Sequence, residues 1–191
     1  MAKLNPLRIA FKEWAVICKA LAQGRQALIL RKGGIAESHE GFRVEHSRFW
    51  LYPTYVHQQQ AGICEAYRPL LAEVEAERPP AGRLRLQHFA EVTAVERLTT
   101  LQQAEALAGL HGWSADTVIA RFHYREPGLY ALFVRLYRVP TAWELEETPA
   151  YAGCKSWVEL DRELPTTGAV PVLSDEQFAA IGRVGLRERS E

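Results

Sequence analysis

The sequence predicts an α+β fold: a mixed, mainly antiparallel sheet or curled barrel with peripheral helices. Three observations carry that expectation. Hydrophobic residues make up 48% of the 191 and charged residues 24%, a globular balance that supports a buried core. Apolar and aromatic runs of strand length recur along the chain, the clearest being Tyr130 to Val139. Helical periodicity is confined to short stretches between those runs, and the spacing suits hairpins more often than parallel crossovers.

The elements follow in order. Leu7 to Ala22 carries both periods, with Leu7, Ile9, Phe11 and Trp14 upstream of Ile17-Cys18. The turn Gln23-Gly24-Arg25 favours a hairpin of Trp14–Leu21 with Gln26–Arg31, preceded by a short helix. Residues 34–41 are polar and read as a loop. Phe42, Val44 and His46 alternate with Arg43 and Glu45, so a strand is expected from Phe42 to Tyr52, stopped by Pro53. Tyr55 to Glu77 has helical spacing, with a kink or break expected near Arg68 because Pro69 cannot donate a helical hydrogen bond.

Arg78-Pro79-Pro80-Ala81-Gly82 is the clearest interruption. Residues 1–191 are taken as a single domain, with 78–82 as its one internal break point and 185–191 as a frayed polar end. A long strand follows from Leu84 to Leu98. Thr99 or Thr100 caps a helix from Leu101 to Leu110, and Ser114 opens another to about Phe122. The strand from Tyr130 is expected to close at Pro140, and a further strand runs from Cys154 to Leu160. Ser174 with Gln177 three residues on forms a capping box for the last helix.

Charge and cysteine usage restrict the function classes. Lys+Arg and Asp+Glu are both 23, so the net charge is zero. That balance argues against a protein that coats nucleic acid non-specifically, while leaving room for a local basic patch. Cys18, Cys64 and Cys154 are isolated from one another, which fits reduced thiols rather than a zinc ribbon or a disulfide framework. The N-terminus lacks the apolar core of a signal peptide, and no apolar run is long enough to cross a bilayer. A cytoplasmic protein with no membrane partner is expected; the oligomeric state is left open.

Two resemblances add to this reading. Phe11-Lys12-Glu13-Trp14-Ala15, Leu30-Arg31-Lys32-Gly33-Gly34-Ile35, Glu45-His46 and Tyr52-Pro53-Thr54 with His57-Gln58 resemble a bacterial domain-of-unknown-function family, the one numbered 1802. Tyr137-Arg138-Val139-Pro140 and Ala152-Gly153-Cys154-Lys155-Ser156-Trp157 are similar to the same family, which implies no activity. The opening from Leu21 to Lys32, and the strand with its Thr-capped helix from Val92 to Leu107, are similar to PUA-like barrels of the ASCH type. That second resemblance implies an RNA- or modified-nucleotide-associated module. The ASCH pattern usually places an acidic residue before the arginine, whereas Leu30 precedes Arg31 here.

The candidate ligand-binding residues are Arg31, Lys32, Gly33, Gly34, Glu45, Thr54, His57 and Gln58. A glycine turn at a strand end aims N–H groups at an anion, and the two cations add charge and a bidentate fork. The same residues also suit a solvated loop. Glu45 and His46, adjacent on a strand, point to opposite faces, so either would pair with His57 or Glu13 rather than with each other. Thr54 caps a helix start or contacts a ligand, and Trp14, Trp50, Tyr52 and Tyr55 stack a base or build core. Lys155, Ser156 and Trp157 form a second polar cluster, with Cys154 beside Lys155.

No Gly-x-Ser-x-Gly elbow, phosphate loop or His-Glu-x-x-His helix is present. No catalytic residue, metal site or cofactor is assigned. The reading is a nucleotide- or nucleic-acid-binding module with a polar cleft around the Arg31-Lys32-Gly33-Gly34 turn. Two alternatives stand beside it: a metal-dependent phosphodiesterase or nuclease using Glu13, Glu45 and Lys32, and a non-catalytic protein-interaction domain.

Overall fold

A computed structural model describes residues 6–33, 37–38, 41–42, 46–56, 58–153 and 155–187. Its main sheet has seven strands. The path runs β2 (Leu28–Arg31), β7 (Leu129–Glu146), β6 (Arg83–Leu98), β5 (Arg48–Thr54), β1 (Leu7–Trp14) and β8 (Trp157–Leu164). A short β9 (Val170–Pro171) pairs with β7 beside the path, and β3 (Glu37–Ser38) pairs separately with β4 (Gly41–Phe42). Among the described residues only β1 and β5 run parallel, and the other pairings of the main sheet are antiparallel. The α+β expectation holds, and the sheet is curled and open rather than a closed barrel.

The spine is the β6–β7 ribbon. Leu84 and Leu86 are buried while Arg83 and Arg85, which alternate with them, are exposed, the period-two alternation of a strand with one wet face. Pro140 does not end β7. It lies where the register jumps from Leu86↔Trp143 to His88↔Arg138, inside a bulge where no ladder bond is asked of it.

The core has two parts, one on each face of the sheet. Phe49 and Leu51 of β5 join Ile17 and Leu21 on one face, while Trp50 and Tyr52 join Phe89 and Val158 on the other.

Two local expectations are corrected. Residues Ala15–Ala22 form helix α1, not a hairpin strand. Val16, Ile17, Ala20 and Leu21 are buried at helical spacing, and the strand lies upstream in β1. Gly24, at φ +69°, ends the helix: its N–H donates to the Leu21 carbonyl at 2.9 Å, and Arg25 N–H to Ala20 at 2.9 Å. A left-handed glycine serves a helix C-terminus as readily as a hairpin turn, and here the helix wins. The helix expected from Tyr55 is replaced by two 3₁₀ turns, Gln60–Gly62 and Glu65–Tyr67, followed by α2 (Pro69–Ala76). The break expected near Arg68 is there: Pro69 opens that helix, at a position whose N–H would have no partner, rather than kinking a longer one.

The caps fall where expected. Thr100 and Gln103 form a reciprocal box before α3 (Leu101–Glu105), and Ser114 Oγ accepts from Thr117 N–H at 3.2 Å before α4 (Ala115–His123). Ser174 and Gln177 do the same for α5 (Asp175–Arg187). No described helix is long and apolar enough to cross a membrane.

The loop before α4 packs tightly on α1. A Cβ at Gly112 would lie 2.8 Å from both Ile17 Cδ1 and Tyr67 Cδ1. Gly112→Ala is therefore expected to cost about 1–3 kcal/mol of stability, the range for overpacking, measured by urea denaturation.

Candidate functional site

The parallel pairing of β1 and β5 brings their C-terminal ends side by side, with Lys12 opposite Tyr52 and Trp14 opposite Thr54. Strand β2 delivers Arg31, Lys32 and Gly33 to the same end. The segment 78–85 and the segment 147–156 supply walls. Together they line a cleft of about 880 Å³.

Its floor is an ion pair between a buried carboxylate and a partly buried guanidinium. Glu13 is 4% exposed, and its Oε2 accepts from Arg31 Nη1 at 3.3 Å. Glu13 Oε1 accepts the Trp14 N–H at 2.8 Å. Burial pushes the Glu13 carboxyl up, and Arg31 opposes that shift. Arg31 Nη2 also donates to Ser156 Oγ at 2.5 Å, and its guanidinium lies 4.6 Å from the centre of the Phe11 ring. Because β2 stands at one end of the strand path and β1 and β8 at the other, Arg31 bridges the open seam of the curled sheet.

Lys32 is committed elsewhere. Its ammonium donates to the carbonyls of Phe122 and Gly128, both at 2.9 Å, and to that of Glu126, using all three protons to hold the end of α4. Burial pulls its pKa down.

Lys12 donates to the carbonyls of Tyr151 and Gly153, and its ammonium lies 5.4 Å from the Tyr52 ring centre. The Tyr52 hydroxyl donates to Glu147, and burial followed by that carboxylate raises its pKa.

Among the described residues eight cationic side chains line the cleft against two carboxylates, Glu13 and Glu147. Five of the eight were not singled out from sequence as site candidates: Lys12, Arg78, Arg83, Arg85 and Arg121. The alternation around Leu84 marks Arg83 and Arg85 as solvent-facing, but nothing local says that their face overlooks Glu13 and Arg31. Arg121, exposed on α4, makes no hydrogen bond or ion pair among the described residues and acts on Glu13 through its field.

Of the sequence-named residues, Arg31, Lys32, Gly33 and Thr54 line the cleft, as do Lys155 and Ser156. Thr54 Oγ1 donates to the Glu13 carbonyl at 3.0 Å. Gln58 Oε1 accepts from Val16 N–H at 3.1 Å and so serves the first turn of α1. Gly34, Glu45, His57 and Cys154 lie outside the described residues. A Cβ at Gly33 would meet nothing within 4 Å, so the fold itself does not demand glycine there. Among the described residues no group of three or more His, Cys, Asp and Glu side chains is placed to hold a metal.

Trp113, on the cleft wall, is positioned by a buried histidine. The Trp113 N–H donates to His111 Nδ1 at 3.1 Å, which requires a neutral imidazole. Burial pushes the pKa of His111 down to about 4.

Removing the Arg31 guanidinium leaves Glu13 charged and buried, so Arg31→Ala is expected to cost about 3 kcal/mol, read by urea denaturation. Adding Glu13→Gln to that variant removes the stranded charge while keeping an acceptor for Trp14, and should restore part of the loss. Recovery of nothing would contradict the ion-pair account.

Acid gives a second expectation. The unfolded chain takes up the His111 proton near pH 6.5, the folded chain only near 4. Stability is therefore full above about pH 6.5 and falls as pH drops towards 4. His88, also pushed down to about 4 by burial and by Arg138, adds to the fall. His111→Gln should make the decline shallower in urea midpoints taken from pH 7.5 to 4.5.

Comparison with solved structures gives ASCH from Zymomonas mobilis at 12% identity and a TM-score of 0.43, covering 92% of this chain and 93% of that one. A serine-to-alanine mutant of that protein gives 12% identity and a TM-score of 0.47, covering 94% and 99%. No curated protein shows significant similarity. The pattern of one family, described as a domain of unknown function, DUF1802, matches residues 10–183, and the chain belongs to that family.

Proposed function

We propose that the cleft binds a phosphate-bearing ligand of the nucleotide or nucleic-acid class. The observation that carries this reading is the segregation of charge: in a chain with no net charge, the described residues place eight cations against two carboxylates around one concavity. A low-dielectric cleft lined by one sign focuses its field and draws in counter-charge. Trp14, Tyr52, Tyr55 and Trp113 lie among the same lining residues and offer rings to a base.

The available cations differ from those that hold the fold. Arg31 secures the seam and Lys32 the end of α4, so Arg31 meets a ligand only with the guanidinium edge its partners leave free. Arg121, and Lys155 with its exposed side chain donating to Ala150, stand ready on the walls. Gly33 and Thr54 complete the floor.

The test is calorimetric titration of AMP and of inorganic phosphate at low salt. Arg121→Gln/Lys155→Gln should weaken AMP at least tenfold, since hydrogen bonds to charged groups are worth about 1.5–3 kcal/mol each. The melting temperature should stay nearly unchanged, because neither side chain is buried. AMP affinity that is equal in the double variant, or indifferent to salt, would overturn the reading.

A further inference from the structure

Arg83 and Arg85 stand two residues apart on β6, exposed on one face, with the buried Leu84 between them. At the rise of an antiparallel strand that places their Cα atoms about 7 Å apart. That repeat matches successive phosphates along an extended nucleic-acid strand. Each arginine faces an exposed carboxylate of β7: Arg85 Nε meets Glu144 at 2.5 Å, and Arg83 Nη1 meets Glu146 at 3.9 Å. Exposed pairs of this kind contribute little to stability and exchange readily for another anion.

The row continues. Arg78 lies 4.6 Å from the centre of the Tyr55 ring, and Arg78, Tyr55, Arg85 and Arg83 all line the large cleft. Beyond Arg83 the charge changes. A smaller cavity of about 280 Å³ shares Arg83, Thr148 and Tyr151 with the cleft, but carries Glu144, Glu146 and Asp161 against Arg83 and Arg162. Three carboxylates repel a phosphate, so the cationic row has an end.

We propose that the ligand is an unpaired nucleic-acid strand, with consecutive phosphates on Arg85 and Arg83 and an unstacked base against Tyr55. This rests on the reading of the cleft as a phosphate-binding site and specifies what fills it. A row of cations along a strand suits a chain of phosphates, whereas a mononucleotide presents its charge at one point. An aromatic ring inside the cleft takes a base face only if that base is free of its partner. The acidic cavity limits the footprint to on the order of four nucleotides, the short end of known single-strand sites.

The experiment is fluorescence polarisation with dye-labelled homopolymers of two, four and eight nucleotides, as RNA and as DNA. AMP and an eight-base-pair duplex serve as competitors. Affinity should climb from AMP to the tetramer by at least tenfold and then level off, and the duplex should compete at least tenfold more weakly than the octamer strand. Arg83→Gln/Arg85→Gln should abolish the gain with length and reduce the slope of log affinity against log salt by about 1.4, at roughly 0.7 per phosphate lost from a single strand. Glu144→Gln/Glu146→Gln, which frees the same arginines, should tighten the tetramer. Circular dichroism checks that both double variants are folded, as exposed ion pairs predict.

AMP binding with no gain for the tetramer, equal competition by the duplex, or an unchanged arginine double variant would each overturn the strand proposal while leaving the phosphate site standing. Failure of AMP and every oligonucleotide at low salt would overturn both.

Discussion

A buried carboxylate and the partly exposed guanidinium that faces it hold the seam of this fold. Arg31 ends the strand at one end of the sheet's path, and Glu13 and Ser156 belong to elements near the other end. Among the described residues no backbone ladder joins β2 to β1, and the two ends meet through side chains: the ion pair, the Ser156 hydroxyl and the Phe11 ring beneath the guanidinium. Neither charge would be stable there alone. Leaving one unpaired costs more than the pair itself contributes, which makes the contact specific as well as adhesive.

The cleft exists because that seam stays open. A closed barrel would have filled the space at the strand ends with a seventh ladder. Instead, the end of α4, the turn at 78–82 and the segment 147–156 surround it, each brought in by local bonds that have little to do with a ligand. Lys32 draws in the α4 end by its backbone carbonyls, and Lys12 draws in Tyr151 and Gly153 in the same manner. The cations therefore fall into two kinds. Those nearest the floor are spent on structure, and those on the outer walls have exposed or exchangeable partners. A neutral protein can present a cationic face because its acidic residues lie mostly outside this concavity.

Membership of a family described only as a domain of unknown function places no reaction on the chain. The functional reading rests on this cleft, since one fold hosts many activities. Carboxylates in the cleft are few, and each has a structural partner: Glu13 has Arg31, and Glu147 accepts from Tyr52. The cleft sets cations beside aromatic rings, the arrangement on which the proposed recognition of negative charge rests.

The sequence by itself determined the elements whose signals are local. The alternation of β6, the long run of β7, and the hydroxyl caps at Thr100, Ser114 and Ser174 depend on neighbours a few residues away, and they appear where expected. It also marked Arg31, Lys32, Gly33 and Thr54 as belonging to one polar end of the molecule. Tertiary structure decided the rest. Ala15–Ala22 has a composition that suits either period, and burial against β5 and α2 selected the helix. Gln58, read as a pocket residue, was taken by the first turn of that helix. Arg31 looked like a free cation because its partner is eighteen residues upstream, on a strand that meets it only when the sheet curls. Arg83 and Arg85 were not picked out for the same reason: a strand's alternation says which side chains face outward, and only the packed sheet says what they face.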